Sequence, residues 1–167
     1  PGSGEGVTLQ TIADKTGVST IAAGPAGVYW AVGNGETGLL LRDDNGTVTQ
    51  HAHTGANGIA VNDTHVFWTD TKFLWRSSPD GTEAERVSTG HPGTRAVTLS
   101  DTHVFWLSDA DVFRSSLEKG GETSIGIGVH IGGQSLVHTG DAVYLTLLGT
   151  PDGQEAGIGR VATSGGG

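Results

Sequence analysis

The six-residue stretch Asp63-Thr-His-Val-Phe-Trp68 occurs a second time, unchanged, as Asp101-Thr-His-Val-Phe-Trp106, at an offset of 38 residues. The same offset before the first copy leads to Tyr29-Trp30. An offset of 39 residues after the second copy leads to Tyr144-Leu145. A fixed period of roughly 40 residues is the signature of a repeat architecture, so the sequence predicts four copies of one structural unit.

The register of the four copies extends beyond this core. A glycine lies thirteen residues before the second core residue of each copy, at Gly17, Gly55, Gly93 and Gly132. An arginine follows each core on the next apolar segment, at Arg42, Arg76, Arg114 and Arg160. Two interpretations of these arginines stay open: a surface ring that binds anions or sugars, and ion pairs with acidic residues of a neighbouring unit.

Each unit has the periodicity of short β-strands. In the second copy, strands are predicted over 58–62, 65–70, 73–77 and 83–88, with a turn at Pro79-Asp80-Gly81. β-Branched and aromatic residues fill the strands, and Gly, Pro, Asn and Asp fill the gaps at hairpin spacing. Four short antiparallel strands in roughly 40 residues are typical of one β-propeller blade.

The predicted fold class is therefore all-β, a β-propeller built from four four-stranded antiparallel blades. A single repeat domain covers 1–167, with blades at approximately 17–55, 56–92, 93–131 and 132–165. The last blade lacks one strand, and the segment 6–13 matches the missing fourth-strand position. We expect this N-terminal strand to close the last blade, within one chain or between chains, and so to remove exposed sheet edges.

The aromatic residues of the repeat are predicted to fill the widening space between blades, while small residues occupy the crowded strands near the axis. These structural aromatics are Tyr29, Trp30, Phe67, Trp68, Phe105, Trp106 and Tyr144.

The stretch Phe67-Trp68-Thr69-Asp70, with the aligned Tyr29-Trp30 and Phe105-Trp106, resembles the YWTD repeat of the LDL-receptor class of propellers. The four-letter motif is nearly complete in one copy only, and propellers of that family usually have six blades. The resemblance implies an extracytoplasmic protein-binding scaffold, secreted or periplasmic, and implies no catalytic residues.

Composition limits the partners. The net charge is −9 with nine Lys and Arg, so a nucleic-acid backbone is not expected as a partner. No apolar run is long enough to span a membrane. The chain has no cysteine and therefore no disulfides. Few lysines and much Gly, Ala, Thr and Asp favour a bacterial source. The start Pro1-Gly2-Ser3-Gly4 is typical of a cloning remnant or a processed terminus.

One register position carries basic or imidazole side chains in every copy: Lys15, His53, His91 and His130. These residues lie in the loops that connect one predicted blade to the next, which share one face of a closed propeller. Neutral imidazoles bind divalent transition metals, so a ring of ligand or metal contacts on that face is one hypothesis, and solvated loop histidines are the other.

His138 is the second candidate, because it replaces an apolar residue of the repeat on a predicted inner strand. His65 and His103, which follow Asp63 and Asp101 in tight turns, are interpreted as structural, since a catalytic Asp–His pair is needed only once.

Three functions are compatible with these patterns. The first is a non-enzymatic binding or scaffold module that holds a protein, small-molecule or sugar ligand with loops at one face of the ring. The second is a truncated or engineered propeller fragment that assembles with other chains, for example as a homodimer forming an eight-bladed ring. The third is a propeller enzyme, a lyase or hydrolase with a divalent metal; no catalytic residue is assigned for it.

Overall fold

The computed structural model describes residues 17–33, 38–52, 54–109, 111–118, 120–126, 134–148 and 155–164. All regular elements in these ranges are β-strands, which form four antiparallel sheets in chain order. Each sheet is a meander whose first strand is its inner strand. Three sheets have four strands, and the fourth has three described strands. The predicted closing strand at 6–13 lies outside the described residues.

Each sheet corresponds to one predicted blade. Blades 1 and 2 contain β1 (Val18–Gly24), β2 (Gly27–Val32), β3 (Leu39–Asp44), β4 (Thr47–Ala52), β5 (Gly58–Val61), β6 (Val66–Thr69), β7 (Leu74–Ser77) and β8 (Glu85–Arg86). Blades 3 and 4 contain β9 (Val97–Leu99), β10 (His103–Leu107), β11 (Val112–Ser116), β12 (Thr123–Ser124), β13 (Leu136–Thr139), β14 (Ala142–Leu147) and β15 (Gly157–Ala162).

The sequence repeat is also a repeat of strand pairing. Trp68 lies opposite Ile59 of the inner strand, and Trp106 lies opposite Val97 in the same way. In every blade the arginine of the third strand lies opposite the first core aromatic, in the pairs Tyr29–Arg42, Phe67–Arg76, Phe105–Arg114 and Tyr144–Arg160. The fourfold alignment therefore describes equivalent positions in space.

Strand alternation explains why two large residues stand side by side in each repeat. Successive side chains point to opposite sides of a sheet. Phe67 consequently packs on blade 3, with Val97 and Trp106, whereas Trp68 packs on blade 1, with Tyr29. We call the side of a blade that contacts the next blade its following face, and the side that contacts the previous blade its preceding face.

Three apolar clusters join the four blades in sequence. The cluster between blades 1 and 2 includes Tyr29 and Trp68, that between blades 2 and 3 includes Phe67 and Trp106, and that between blades 3 and 4 includes Phe105. Six repeat aromatics are buried, and Tyr144 of blade 4 is half-buried. Most of the buried hydrophobic residues belong to these three clusters, so the blade interfaces form most of the core. Their burial contributes about 25 cal/mol per Å² of apolar surface.

Within the described ranges, no helix has the length and hydrophobicity required to cross a bilayer.

Candidate functional site

The first residue that each blade presents towards the axis is polar. Ser19, Asn57, Arg95 and Gln134 occupy equivalent positions of the repeat, at or just before the start of the inner strands. All four line one open cavity of about 400 Å³, together with Thr71, Gly93 and Thr94. We call these four residues the axial ring.

Hydrogen bonds to the next blade hold two members of the axial ring. The Ser19 hydroxyl donates to the carbonyl oxygen of Ala56 at 3.0 Å. One position further round, the Asn57 amide nitrogen donates to the carbonyl of Thr94 at 3.0 Å and to that of Asp70 at 3.1 Å. In the described part of the chain, no donor contacts the Asn57 amide oxygen, which leaves an acceptor at the cavity wall.

Arg95 is the charged member of the axial ring. Its Nε donates to the carbonyl of Gly93 at 2.9 Å, and its Nη2 forms an ion pair with the half-exposed Asp109. The ion pair fixes one side of the guanidinium, because a planar fork retains its direction when two of its donors are engaged. Arg95 is the one charged side chain among the described residues that line the cavity.

His91 and its contacts hold the loop that contains Gly93 and Thr94. The His91 Nε2 lies 2.5 Å from Glu122 Oε1, and the imidazole stacks on the Phe113 ring with centroids 3.9 Å apart. The hydroxyl of Thr94, which is buried, donates to the His91 carbonyl at 2.6 Å. These contacts order the loop at the edge of the cavity.

Glu122 is held in its charged form by the same contacts. Partial burial alone raises the pKa of this carboxyl, but hydrogen bonds from the His91 ring and from the backbone and hydroxyl of Thr89 outweigh burial. The net result is a Glu122 pKa below its ordinary value. A carboxylate with a lowered pKa suits a role in holding His91 in place.

The sequence predicted a ring of four residues, Lys15, His53, His91 and His130. Of these four, the structure describes only His91. His91 lies beside Glu122 as described, and the other three residues lie outside the described residues. In the ranges that the structure describes, no three His, Asp or Glu side chains are grouped as metal ligands. The metal ring stays a prediction, and His91 already has a carboxylate partner.

His138 lies at the opposite end of the inner strands from the axial ring. Its ring stacks parallel on Phe105, with centroids 5.3 Å apart. It lines a cavity of about 870 Å³ with Val61 and Leu99, the equivalent residues of blades 2 and 3, and with Arg114. The structure therefore does not bring His91 and His138 together: they belong to different ends of the molecule.

The histidines of the repeated turns have local partners. The Asn62 carboxamide oxygen accepts from the backbone N–H of His65 at 2.8 Å, and the His65 Nδ1 lies 2.9 Å from the Thr64 hydroxyl. His103 makes the same contact with Thr102 at 2.8 Å. These contacts are those of a capped turn, as the repetition of the motif indicates.

No protein-family model matches the sequence, and no curated protein matches it. Several solved structures do match this chain. The computationally designed Ika4 protein matches with a TM-score of 0.69 and 15% identity, over 93% of this chain and 100% of that chain. The extracellular domain of the putative hybrid two component system BT4673 from B. thetaiotaomicron matches with a TM-score of 0.68 and 15% identity, over 91% of this chain and 21% of that chain.

YCF48, solved with a bound D1 peptide, matches with a TM-score of 0.59 and 10% identity, over 87% of this chain and 55% of that chain. These neighbours are propeller-type folds, and this chain consists of four meander sheets that follow one another along the sequence. The chain is a β-propeller. At identities of 10–15%, this likeness concerns the fold alone.

Sequence reasoning did not find the axial ring of this propeller, although a signal for it exists. Positions that every blade needs carry the same residue type, as Gly17 and Gly93 do. The axial position instead carries four different polar residues, Ser19, Asn57, Arg95 and Gln134. A position that is polar in every blade but never carries the same residue is not required to repeat one packing contact. This pattern would have indicated the site.

Proposed function

We propose that this propeller is a non-enzymatic binding module whose ligand enters the axial cavity at the ends where the inner strands begin. The observation that carries the proposal is the convergence of four equivalent, non-identical polar residues, Ser19, Asn57, Arg95 and Gln134, on one cavity. Ligand sites are concave and use a few placed polar groups to orient what they bind.

The chemistry of the cavity favours a carboxylate-bearing peptide end as the ligand. Arg95 supplies a fixed cation, and guanidinium groups match the geometry of carboxylates. The Asn57 amide oxygen supplies an acceptor for a peptide N–H close to that cation. The solved complex of YCF48 with a D1 peptide supports a peptide as the ligand class. The description of BT4673 as an extracellular domain supports an extracytoplasmic location for this function.

Titration with short peptides tests the proposal. Acetylated tetrapeptides are added either with a free terminal carboxylate or as the terminal amide, while backbone amide signals are followed by NMR. We expect the free acids to shift the signals of Asn57, Gly93 and Thr94 and to bind more tightly than the amides. Loss of the charge-assisted contact is expected to weaken binding by roughly tenfold or more.

Two variants that each remove one positive charge separate the site from general electrostatics. Arg95→Gln is expected to abolish the preference for the free acid. Arg86→Gln, on the exposed outer strand of blade 2, is the matched control and is expected to retain it. The proposal is wrong if neither peptide form shifts the axial signals, or if both variants lose binding equally.

His138 marks a second candidate binding position, favoured by its stacking on Phe105 at the mouth of the larger cavity. A half-buried imidazole stacked on an aromatic ring, in the same cavity as Arg114, suits a planar anionic ligand. His138→Ala should abolish binding of such a ligand, tested with benzoate as the probe, and leave peptide binding at the axial ring unchanged. Benzoate signals that are unaffected by this substitution would contradict the second site.

A further inference from the structure

The exposed apolar side chains of this propeller are not scattered. The large hydrophobic residues that the described part of the chain exposes are Val18, Ile21, Val48, Val137, Leu148 and Ile158. Every one belongs to blade 1 or to the blade 4 region, the two ends of the row of blades. Single exposed apolar residues are ordinary, but clustering on two surfaces marks an interaction site.

The first surface is the preceding face of blade 1. Ile21 lies opposite Trp30, and Val18 lies opposite Val32, so both share the side that in the other blades contacts the previous blade. Ile21 is 68% exposed, whereas its equivalents Ile59, Val97 and Leu136 are each 8% exposed at the formed interfaces. Val48 of the outer strand lies on this face too, by its pairing with Asp43. The middle strands of the face are already buried.

The second surface is the following face of blade 4. Ile158 lies opposite Thr146, and Val137 lies opposite Tyr144, on the side that in blades 1 to 3 contacts the next blade. Ile158 is 72% exposed, whereas its equivalents Leu40, Leu74 and Val112 are fully buried. This face therefore has the residue pattern of a blade interface and lacks the blade.

The arginine of blade 4 also lacks the contact with a next blade that its equivalents make. Arg42, Arg76 and Arg114 each donate to a backbone carbonyl of the next blade, three residues beyond the arginine of that blade. Arg160 is half-exposed and pairs instead with Asp141 of its own blade. The carbonyl that would complete the series belongs to Asn45, an exposed residue of blade 1.

We infer that a second copy of this chain covers both surfaces, with the following face of blade 4 of each copy packed on the preceding face of blade 1 of the other. The two faces are complementary in register, and each keeps exposed apolar side chains in a single chain. Two equivalent junctions related by a twofold axis close a ring of eight blades, which leaves no head-to-tail end for further growth.

This arrangement also changes the axial cavity. Each copy supplies one axial ring of four residues, and the second copy faces the open side of the cavity. The ligand proposed above would then lie between two copies of the ring. The inference about assembly does not rest on that ligand, because it is drawn from the two terminal faces and from Arg160.

The mass of the particle in solution tests the inference, measured by light scattering after gel filtration and by native mass spectrometry at two protein concentrations. We expect two chains per particle. Ile21→Glu and Ile158→Glu each place a charge in both junctions, and we expect one chain per particle for each. Thr123→Glu, on the exposed outer strand of blade 3, adds the same charge elsewhere and is expected to keep two chains.

Arg160→Ala is a milder variant that leaves the apolar faces intact. It is expected to raise the dissociation constant of the dimer at least tenfold, as for loss of a charged hydrogen bond at each junction. Far-UV circular dichroism identical to that of the original chain shows that a variant is folded. A particle of one chain for the original protein overturns the inference, as would a two-chain particle that both glutamate variants leave unchanged.

Discussion

The guanidinium of Arg42 in blade 1 donates a hydrogen bond from Nη1 to the carbonyl oxygen of Pro79 in blade 2, over 3.1 Å. The Tyr29 hydroxyl, from the position opposite Arg42, donates to the same oxygen at 2.9 Å. Arg76 repeats this bond to Leu117 of blade 3 at 2.6 Å, and Arg114 repeats it to Thr163 of blade 4. The repeated arginine is therefore a clamp between neighbouring blades.

This finding replaces both sequence-based interpretations of the arginines. Their acidic partners are in their own blades, as for Arg42 with Asp44 and Arg76 with Glu85. Their contacts across blades go to backbone carbonyls. A backbone carbonyl can accept this hydrogen bond whatever side chain its residue has, so proline, leucine and threonine can all occupy the acceptor position.

Shortening the clamp should destabilise the fold. We expect Arg76→Lys to lower the free energy of unfolding by about 1–2 kcal/mol, because lysine keeps the charge but loses the fork that contacts Leu117 and Glu85 together. Urea denaturation followed by tryptophan fluorescence measures this change. Arg86→Lys is the comparison variant: it loses only the packing of the guanidinium over the Phe73 and Trp75 rings of its own blade and is expected to cost less than Arg76→Lys. Equal effects of the two variants would argue against the clamp.

His51 makes stability depend on pH. It is buried between blades 1 and 2, its Nε2 lies 2.8 Å from the Ser77 hydroxyl, and it meets Tyr29 and Trp68 edge to face. Burial, and secondarily the charge of Arg42, lower the pKa of His51 from its ordinary value of 6.5. The folded protein therefore keeps His51 neutral where the unfolded chain already binds a proton.

The sign of the effect follows from linkage. His51 contributes its full stability above pH 6.5, and that contribution is lost as the pH falls from 6.5 towards the lowered pKa of the folded state. We expect the free energy of unfolding to fall over this window, and to fall less in His51→Gln. His65→Gln, at a half-buried histidine of a repeated turn, is the control and should keep the original slope. Glu122, whose pKa is lowered, adds its own loss only below its ordinary value of 4.5.

Gly93 is predicted to be intolerant of a side chain. Its φ of 68° is left-handed, and a Cβ at this position would overlap the Asp109 carboxylate. We expect Gly93→Ala to cost about 1–2 kcal/mol from backbone strain, more from the overlap, and to distort the axial cavity. Gly46→Ala is the matched control, because Gly46 has a φ of 93° and open space around it. Thermal unfolding of both variants should show the larger loss for Gly93.

Added metal is not expected to stabilise the protein through His91. Its imidazole is already in hydrogen-bond contact with Glu122 and packed on Phe113, so a metal would have to displace the Glu122 carboxylate. We expect zinc or nickel to leave the melting temperature unchanged, measured by differential scanning fluorimetry with and without a chelator. A rise in melting temperature that disappears in His91→Ala would instead support the predicted metal ring.

The sequence by itself determined the four blades, their strands and the burial of Phe67, Trp68 and their equivalents. Strand alternation and turn chemistry act over a few residues, so a repeat that is read locally predicts each meander sheet. The tertiary structure decided the axial ring, the acceptors of the arginine clamp and the open faces that carry Ile21 and Ile158. Each of these depends on how one blade is placed against another, and residues of different blades that meet are far apart in the chain: 37 positions at Ser19–Ala56 and at Arg42–Pro79, and 26 positions at His51–Ser77. The stretch Asp-Thr-His-Val-Phe-Trp thus specifies a blade, while the packing between blades decides which residues of different blades meet at the cavity, at the arginine clamp and at the open faces.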